Sequence, residues 1–154
     1  MFDDMTEDVT KMWVKALRSG DYIQGKGRLK LEVLEKEGTP AHFEHCCLGV
    51  LCEVLNVTNR HDLNTATTDY SRVYVFDSSN FDWPWNEGGV DNLDGYTSTM
   101  MLPEPLREAL GMDDEDMHTL IAFNDGQADE MFNPLGRYHT FDQIADYIEK
   151  GWIN

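Results

Sequence analysis

Apolar residues near the start of the chain recur at helical spacing. Val9, Trp13, Ala16 and Leu17 share one face of a helix predicted over Thr6 to Ser19. Gly20 follows where a left-handed C-terminal cap is wanted. Acidic residues open this segment and Lys15 and Arg18 close it, the order that suits the helix dipole. The period then shortens. Leu29-Lys30-Leu31-Glu32-Val33 alternates apolar and charged side chains, as a half-buried strand does. Glu37-Gly38-Thr39-Pro40 reads as a turn, and Ala41 to Cys46 returns as a second, antiparallel strand. From Cys47 the helical period comes back, with Leu48, Leu51, Cys52 and Leu55 at i, i+3, i+4 and i+7. Gly49 inside that helix marks a place where another backbone or a ligand comes close.

The C-terminal third reads as helical. Pro103 and Pro105 start a short helix that ends at Gly111. Asp113 caps the next, which turns Met117, Leu120 and Ile121 inward and stops near Asn124-Asp125-Gly126. Thr140 and Gln143 form a capping box for a last helix with Phe141, Ile144, Ala145 and Ile148 on one side, closed by Gly151. Between these halves, residues 56–99 carry little periodicity beyond a strand at Arg72 to Phe76, and they read as irregular structure or a functional loop region. The expected fold is α+β: a small antiparallel sheet packed against four to five helices, in one domain spanning residues 1–154.

Composition narrows the class. A chain of 154 residues that is 41% hydrophobic and 11% aromatic buries a real core and is not disordered. No apolar run approaches the roughly 20 residues of a spanning helix, and the start, with Asp3, Asp4, Glu7 and Asp8, lacks the basic and apolar stretches of a secretory signal. A cytoplasmic protein is expected, with Cys46, Cys47 and Cys52 as free thiols. The formal net charge of −17 repels nucleic acid and anionic membranes and attracts basic surfaces.

Two stretches carry a resemblance. The first runs from Trp13-Val14-Lys15-Ala16-Leu17-Arg18-Ser19-Gly20 through Tyr22 and Gln24-Gly25-Lys26-Gly27 to Cys46-Cys47-Leu48-Gly49-Val50-Leu51-Cys52. The second comprises Leu120 to Asp125 and then Phe141 to Glu149. Together they resemble a family of small accessory proteins of tailed bacteriophages. The resemblance covers about half the chain, at its two ends, and leaves residues 56–99 unmatched. It implies action in the cytoplasm of an infected bacterium and no established chemistry, so it carries over no catalytic residue.

The candidate chemistry is thin. Cys46 and Cys47 stand at a predicted helix start with His42 and His45 nearby, which suggests a Cys–His nucleophile, but their place on an apolar stripe favours packing. The same four residues lack the second separated pair of a structural zinc site, and His61, His118 and His139 are scattered. Asp91-Asn92-Leu93-Asp94-Gly95 has leucine where a calcium loop needs a ligand. No metal, no cofactor and no catalytic residue is expected, and the balance is against an enzyme.

The most concentrated basic patch is Gly25-Lys26-Gly27-Arg28, with Arg18 preceding it. Glycines expose backbone N–H groups, and with Lys and Arg they can hold a phosphate. Trp83 and Trp85, in a cluster with Tyr74, Phe76 and Phe81, offer rings for stacking. The leading expectation is therefore a non-enzymatic phage counter-defence protein that sequesters a small phosphorylated signal of the cyclic-nucleotide class. Arg18, Lys26 and Arg28 would meet the phosphates, Gly25 and Gly27 would shape the turn, and Trp83 or Trp85 would stack on a base. A homodimer would double the sites. The alternative is an acidic inhibitor or DNA mimic that docks on a basic host or defence protein through Asp3 to Asp8, Asp91 to Asp94 and Asp113 to Asp116.

Overall fold

The computed structural model describes residues 7–63, 71–78, 97–128 and 133–150. Within them the chain forms five helices and six strands: α1 (Glu7–Arg18), β1 (Ile23–Gln24), β2 (Lys30–Val33), β3 (His42–His45), α2 (Cys47–Val54), β4 (Thr58–His61), β5 (Ser71–Asp77), β6 (Thr97–Ser98), α3 (Glu104–Ala109), α4 (Asp114–Asp125) and α5 (Phe141–Lys150). The fold class is α+β. The sheet order is β1-β3-β2-β5-β4, with β6 paired to β5.

β5 organises the sheet. Its first half pairs antiparallel with β2, Leu31 opposite Val73. Its second half pairs antiparallel with both β4 and β6, since Phe76 is opposite Asn59 and also opposite Ser98. A strand residue has two edges, so β4 and β6 lie on opposite sides of β5, and β6 continues the edge that β2 occupies. The Leu29 N–H donates to the Thr99 carbonyl at 2.8 Å and joins the two. The expectation of a wholly antiparallel sheet is corrected at one edge. Ile23 and Gln24, just before the Gly25-Lys26-Gly27 turn, form a short strand parallel to β3, with Gln24 opposite His45.

Residues 56–99 hold more strand than their pattern showed. β4 and β6 lie in that stretch beside β5, whereas Trp83 and Trp85 fall outside the described residues, as does Asp91 to Gly95.

The helices share one core with the sheet. α1 packs on α5 and α2, α2 on α4 and β3, and α4 on α5. α2 sits in the middle, so Cys47 through Cys52 are buried on every face, not along a single stripe. Trp13 on α1 is fully buried and its indole N–H donates to the Cys47 carbonyl at 2.9 Å. The caps fall where their residues predict. The Asp113 side chain accepts from the Asp116 N–H at 2.7 Å, Thr140 and Gln143 exchange bonds at 2.9 and 3.3 Å, and Gly126 closes α4 with φ +72°.

Candidate functional site

The Gly-Lys-Gly-Arg turn leaves β1 and leads to β2, and it is fastened from below by one side chain. Asn124, fully buried at the end of α4, donates to the Gly25 carbonyl at 2.8 Å and to Asp125 Oδ1 at 3.0 Å. Its own Oδ1 accepts from the Cys47 N–H at 3.1 Å and from Gln24 Nε2 at 3.0 Å. Gln24 in turn donates to the His139 carbonyl and accepts from the Phe141 N–H, at 2.8 and 3.0 Å. These two amides tie β1, the head of α2, the tail of α4 and the head of α5 together. All four hydrogen-bonding positions of the Asn124 amide are used, which is what a buried amide requires.

The turn's backbone is committed inward. The Gly25 N–H donates to the His45 carbonyl at 2.8 Å, and the Gly27 N–H donates to Asp125 Oδ1 at 3.1 Å. Glycine is needed at both places for separate reasons. A Cβ on Gly25 would lie 2.8 Å from the Glu44 Cβ, and Gly27 has φ +75°.

The basic side chains divide. Arg18 faces α5, where it pairs with Asp146 and, at 3.0 Å, with Glu149; these hydrogen bonds, that to Glu149 first, raise its pKa above its ordinary value. Lys26 is exposed and its ammonium stands 4.5 Å over the Tyr138 ring. Arg28 is half-buried, donates to Thr99 Oγ1 at 3.0 Å and lines a cleft at the head of α2. Lys11, Arg18, Lys30, Arg60, Arg72 and Arg107 each stand beside a carboxylate; Lys26 and Arg28 have none among the described residues. The structure thus keeps Lys26 and Arg28 together at the turn and puts Arg18 in a different depression, with Tyr22, Gln24 and Thr140.

The cleft encloses about 200 Å³ between the turn and α4. Arg28, His118, Asp125 and Gln127 give it polar walls, and Met100, Met101 and Ile121 give it apolar ones. Cys46 and Cys47 border it but are not poised nucleophiles. Burial pushes the Cys46 thiol up to about 12, against the pull of the Gly49 and Leu48 N–H groups, and pushes Cys47 and Cys52 well above the ordinary thiol range. The neighbouring histidines are equally unsuited. His42 is held by Glu44 at 2.9 Å, and buried His45 is lowered to about 4 by desolvation and then by Lys30. Among the described residues no group of three or more His, Cys, Asp or Glu is placed to hold a metal.

Residues 5–152 match the model of a family described as a domain of unknown function, DUF8296. The chain belongs to the DUF8296 family. No curated protein and no solved structure matches it. In this DUF8296 protein the cleft residues outside the turn come from elements far apart in sequence, which is why spacing alone did not assemble them. Asp125 had one signal, its place beside Asn124 at the end of a helix. Met100-Met101 had another, two adjacent apolar residues in a stretch without periodicity. His118 had none. Among the described residues no helix is long and apolar enough to cross a membrane.

Proposed function

We propose that this DUF8296 protein is a non-enzymatic binding protein that takes a small anionic ligand of the nucleotide class in the cleft between the Gly27-Arg28 turn and α4. The observation that carries the reading is Arg28. A half-buried guanidinium without a counter-ion costs free energy, and an anion arriving in the cleft relieves that cost. In a chain of net charge −17, where six of the twelve cations face a carboxylate, an Arg on a cleft with no carboxylate partner among the described residues is the natural place for an anion. Asp125 lines the same cleft, but its Oδ1 already accepts from Gly27 and Asn124, which spreads its charge over two donors.

Because the Gly25 and Gly27 N–H groups are engaged, side chains rather than a backbone cradle meet the anion. A cleft of about 200 Å³ is below the roughly 300–1,000 Å³ of drug-sized sites, so it seats one ring or one phosphate group at a time. The resemblance to phage accessory proteins extends the proposal to sequestration of a phosphorylated signal, such as a cyclic nucleotide, during infection. Isothermal titration against a panel of nucleotides tests it. A saturable heat that weakens in Arg28→Ala supports the reading, and no heat with any member removes it.

A second reading rests on charge. Asp113, Asp114 and Glu115 are exposed at the head of α4, and such a surface suits docking on a basic host or defence protein in place of DNA. Docking of that kind weakens steeply with added salt. A pull-down at low salt that recovers no basic partner counts against it.

A further inference from the structure

The cleft beside Arg28 has a neighbour at the head of α4. A second, more open depression of about 410 Å³ lies where β6 and α3 meet the head of α4, and Met101 and His118 line both. Two cavities that share side chains adjoin, and the pair is taken as one groove. Its ends differ in chemistry. Arg28 stands at one, and Glu104 and Asp114 at the other. Arg107 also borders the far end, but it is engaged: Nη1 donates to the Met112 carbonyl at 2.9 Å, and Nε lies 3.5 Å from Asp114. That end therefore offers acceptors, not a second cation.

The middle of the groove is soft and apolar. Met100 and Met101 are 51% and 43% exposed, too open to serve the core. Flexible, polarizable thioethers pack well on the flat face of a ring. Beside them, His118 donates from Nδ1 to the Asp114 carbonyl at 2.7 Å. That bond uses the Nδ1 hydrogen, and Nε2 has no partner among the described residues.

We infer that the groove selects a mononucleotide whose base carries an exocyclic amino group, with the phosphate at Arg28, the base across Met100 and Met101, and the amine toward Asp114 and Glu104; this rests on the anionic-ligand reading above. Carboxylates accept from an amino group. A base with a carbonyl at the same position would set acceptor against acceptor and leave both unpaired. Phosphate chemistry places one end of the ligand, and amino chemistry chooses among bases.

The experiment is isothermal titration of the full chain with adenosine, cytidine, inosine and uridine 5′-monophosphates, and with adenosine and inorganic phosphate alone. The amino-bearing monophosphates should bind about fivefold or more tighter than inosine and uridine monophosphates, a modest ratio because the acceptors are exposed. Arg28→Ala should weaken adenosine monophosphate by about tenfold or more and leave adenosine unchanged. A Glu104→Ala, Asp114→Ala double variant, shown by its melting temperature to be folded, should erase the difference between amino and carbonyl bases. Equal binding of both base classes, with Arg28→Ala still weakening all monophosphates, overturns this inference and leaves the anion site standing. An Arg28→Ala variant that binds every monophosphate normally, or a wild-type chain that binds none, overturns both.

Discussion

Gly49 lies against the backbone of Leu29 so closely that a Cβ on it would fall 1.7 Å from the Leu29 carbonyl oxygen. The central helix crosses the entry to β2 backbone to backbone, and no flexible side chain is there to yield. Gly49→Ala sets two effects against each other. Alanine gains about 1 kcal/mol of helix propensity over glycine. The clash forces α2 off the chain beneath it, and overpacking of this kind costs about 1–3 kcal/mol or more. The clash wins, and the net loss should be about 2 kcal/mol, read as a lower urea midpoint. A variant as stable as the parent would mean that α2 does not sit this close.

Asn124 should be the most costly polar residue to remove. Asn124→Ala strands the Gly25 carbonyl, the Cys47 N–H and part of the Gln24 amide, all of them buried or half-buried. Each stranded group costs about 1–3 kcal/mol, so a total of at least about 3 kcal/mol is expected. Asn124→Asp should do no better, because it loses the donor to Gly25 and sets a second carboxylate beside Asp125. Urea unfolding of both variants checks this. An Asn124→Asp variant close to the parent would deny the donor role.

The local signals were legible, and the non-local ones were not. Asp113, Gly126, Thr140 and Gln143 act within one turn of their own positions, so capping chemistry located three helix ends correctly. β4 is Thr-Asn-Arg-His, polar on both faces, and it is a strand only because β5 supplies its partners. β1 is two residues long and pairs parallel to β3, from about twenty residues away, a pairing that no hairpin signal announces. The site divides in the same way. Lys26 and Arg28 were visible as a basic turn. Nothing in their spacing connects them to Met100, His118 and Asp125, which only the packing of β6 and α4 brings to Arg28. Arg18 was grouped with them by proximity in sequence, whereas α1 turns it toward α5.

Buried His45 should make the protein acid-sensitive in a defined window. Neither ring nitrogen has a hydrogen-bond partner among the described residues, Tyr22 packs edge-on against the ring, and the facing charges are Lys30 and, at 4.0 Å, the Glu53 carboxylate. Its folded pKa, about 4, lies below its ordinary value of 6.5. Between those two values the unfolded chain binds the extra proton, so stability is fully present above pH 6.5 and falls as pH drops toward 4. The slope is on the order of 1 kcal/mol per pH unit. Carboxylates add their own acid losses, so the comparison is with His45→Gln. The urea midpoint of the parent should fall relative to that of the variant as pH drops from 6.5 to 4. Parallel curves would show that His45 is not held neutral.

The three thiols should be silent in the native state. Cys46, Cys47 and Cys52 are buried, and burial lifts each above its ordinary value. Thiolate is the reactive form, so a disulfide reagent at mildly alkaline pH should titrate none of them quickly and all of them after denaturation in urea. One rapid native thiol would reopen a chemical role for Cys46, which borders the cleft.

Arg18 and Arg28 should separate cleanly when each is replaced by alanine. Arg18 bridges α1 and α5 through Asp146 and Glu149 with its side chain 36% exposed. Exposed ion pairs contribute about 1 kcal/mol or less each, and losing these two should lower stability slightly while leaving ligand affinity untouched. Arg28 has no carboxylate partner among the described residues, so its loss removes one hydrogen bond to Thr99 and one uncompensated charge, which offset each other; unfolding free energy should stay within about 0.5 kcal/mol of the parent while anion binding weakens by about tenfold or more. Lys26→Ala should fall between them. Its ammonium rests on Tyr138 in the open, where a cation–π contact is worth about 0.5–1 kcal/mol, and any pull on the ligand is screened by water. Titration and unfolding on the same three variants give the answer. If Arg18→Ala weakens binding as much as Arg28→Ala does, the anion sits against α1 and α5, and the cleft at the head of α2 is not its site.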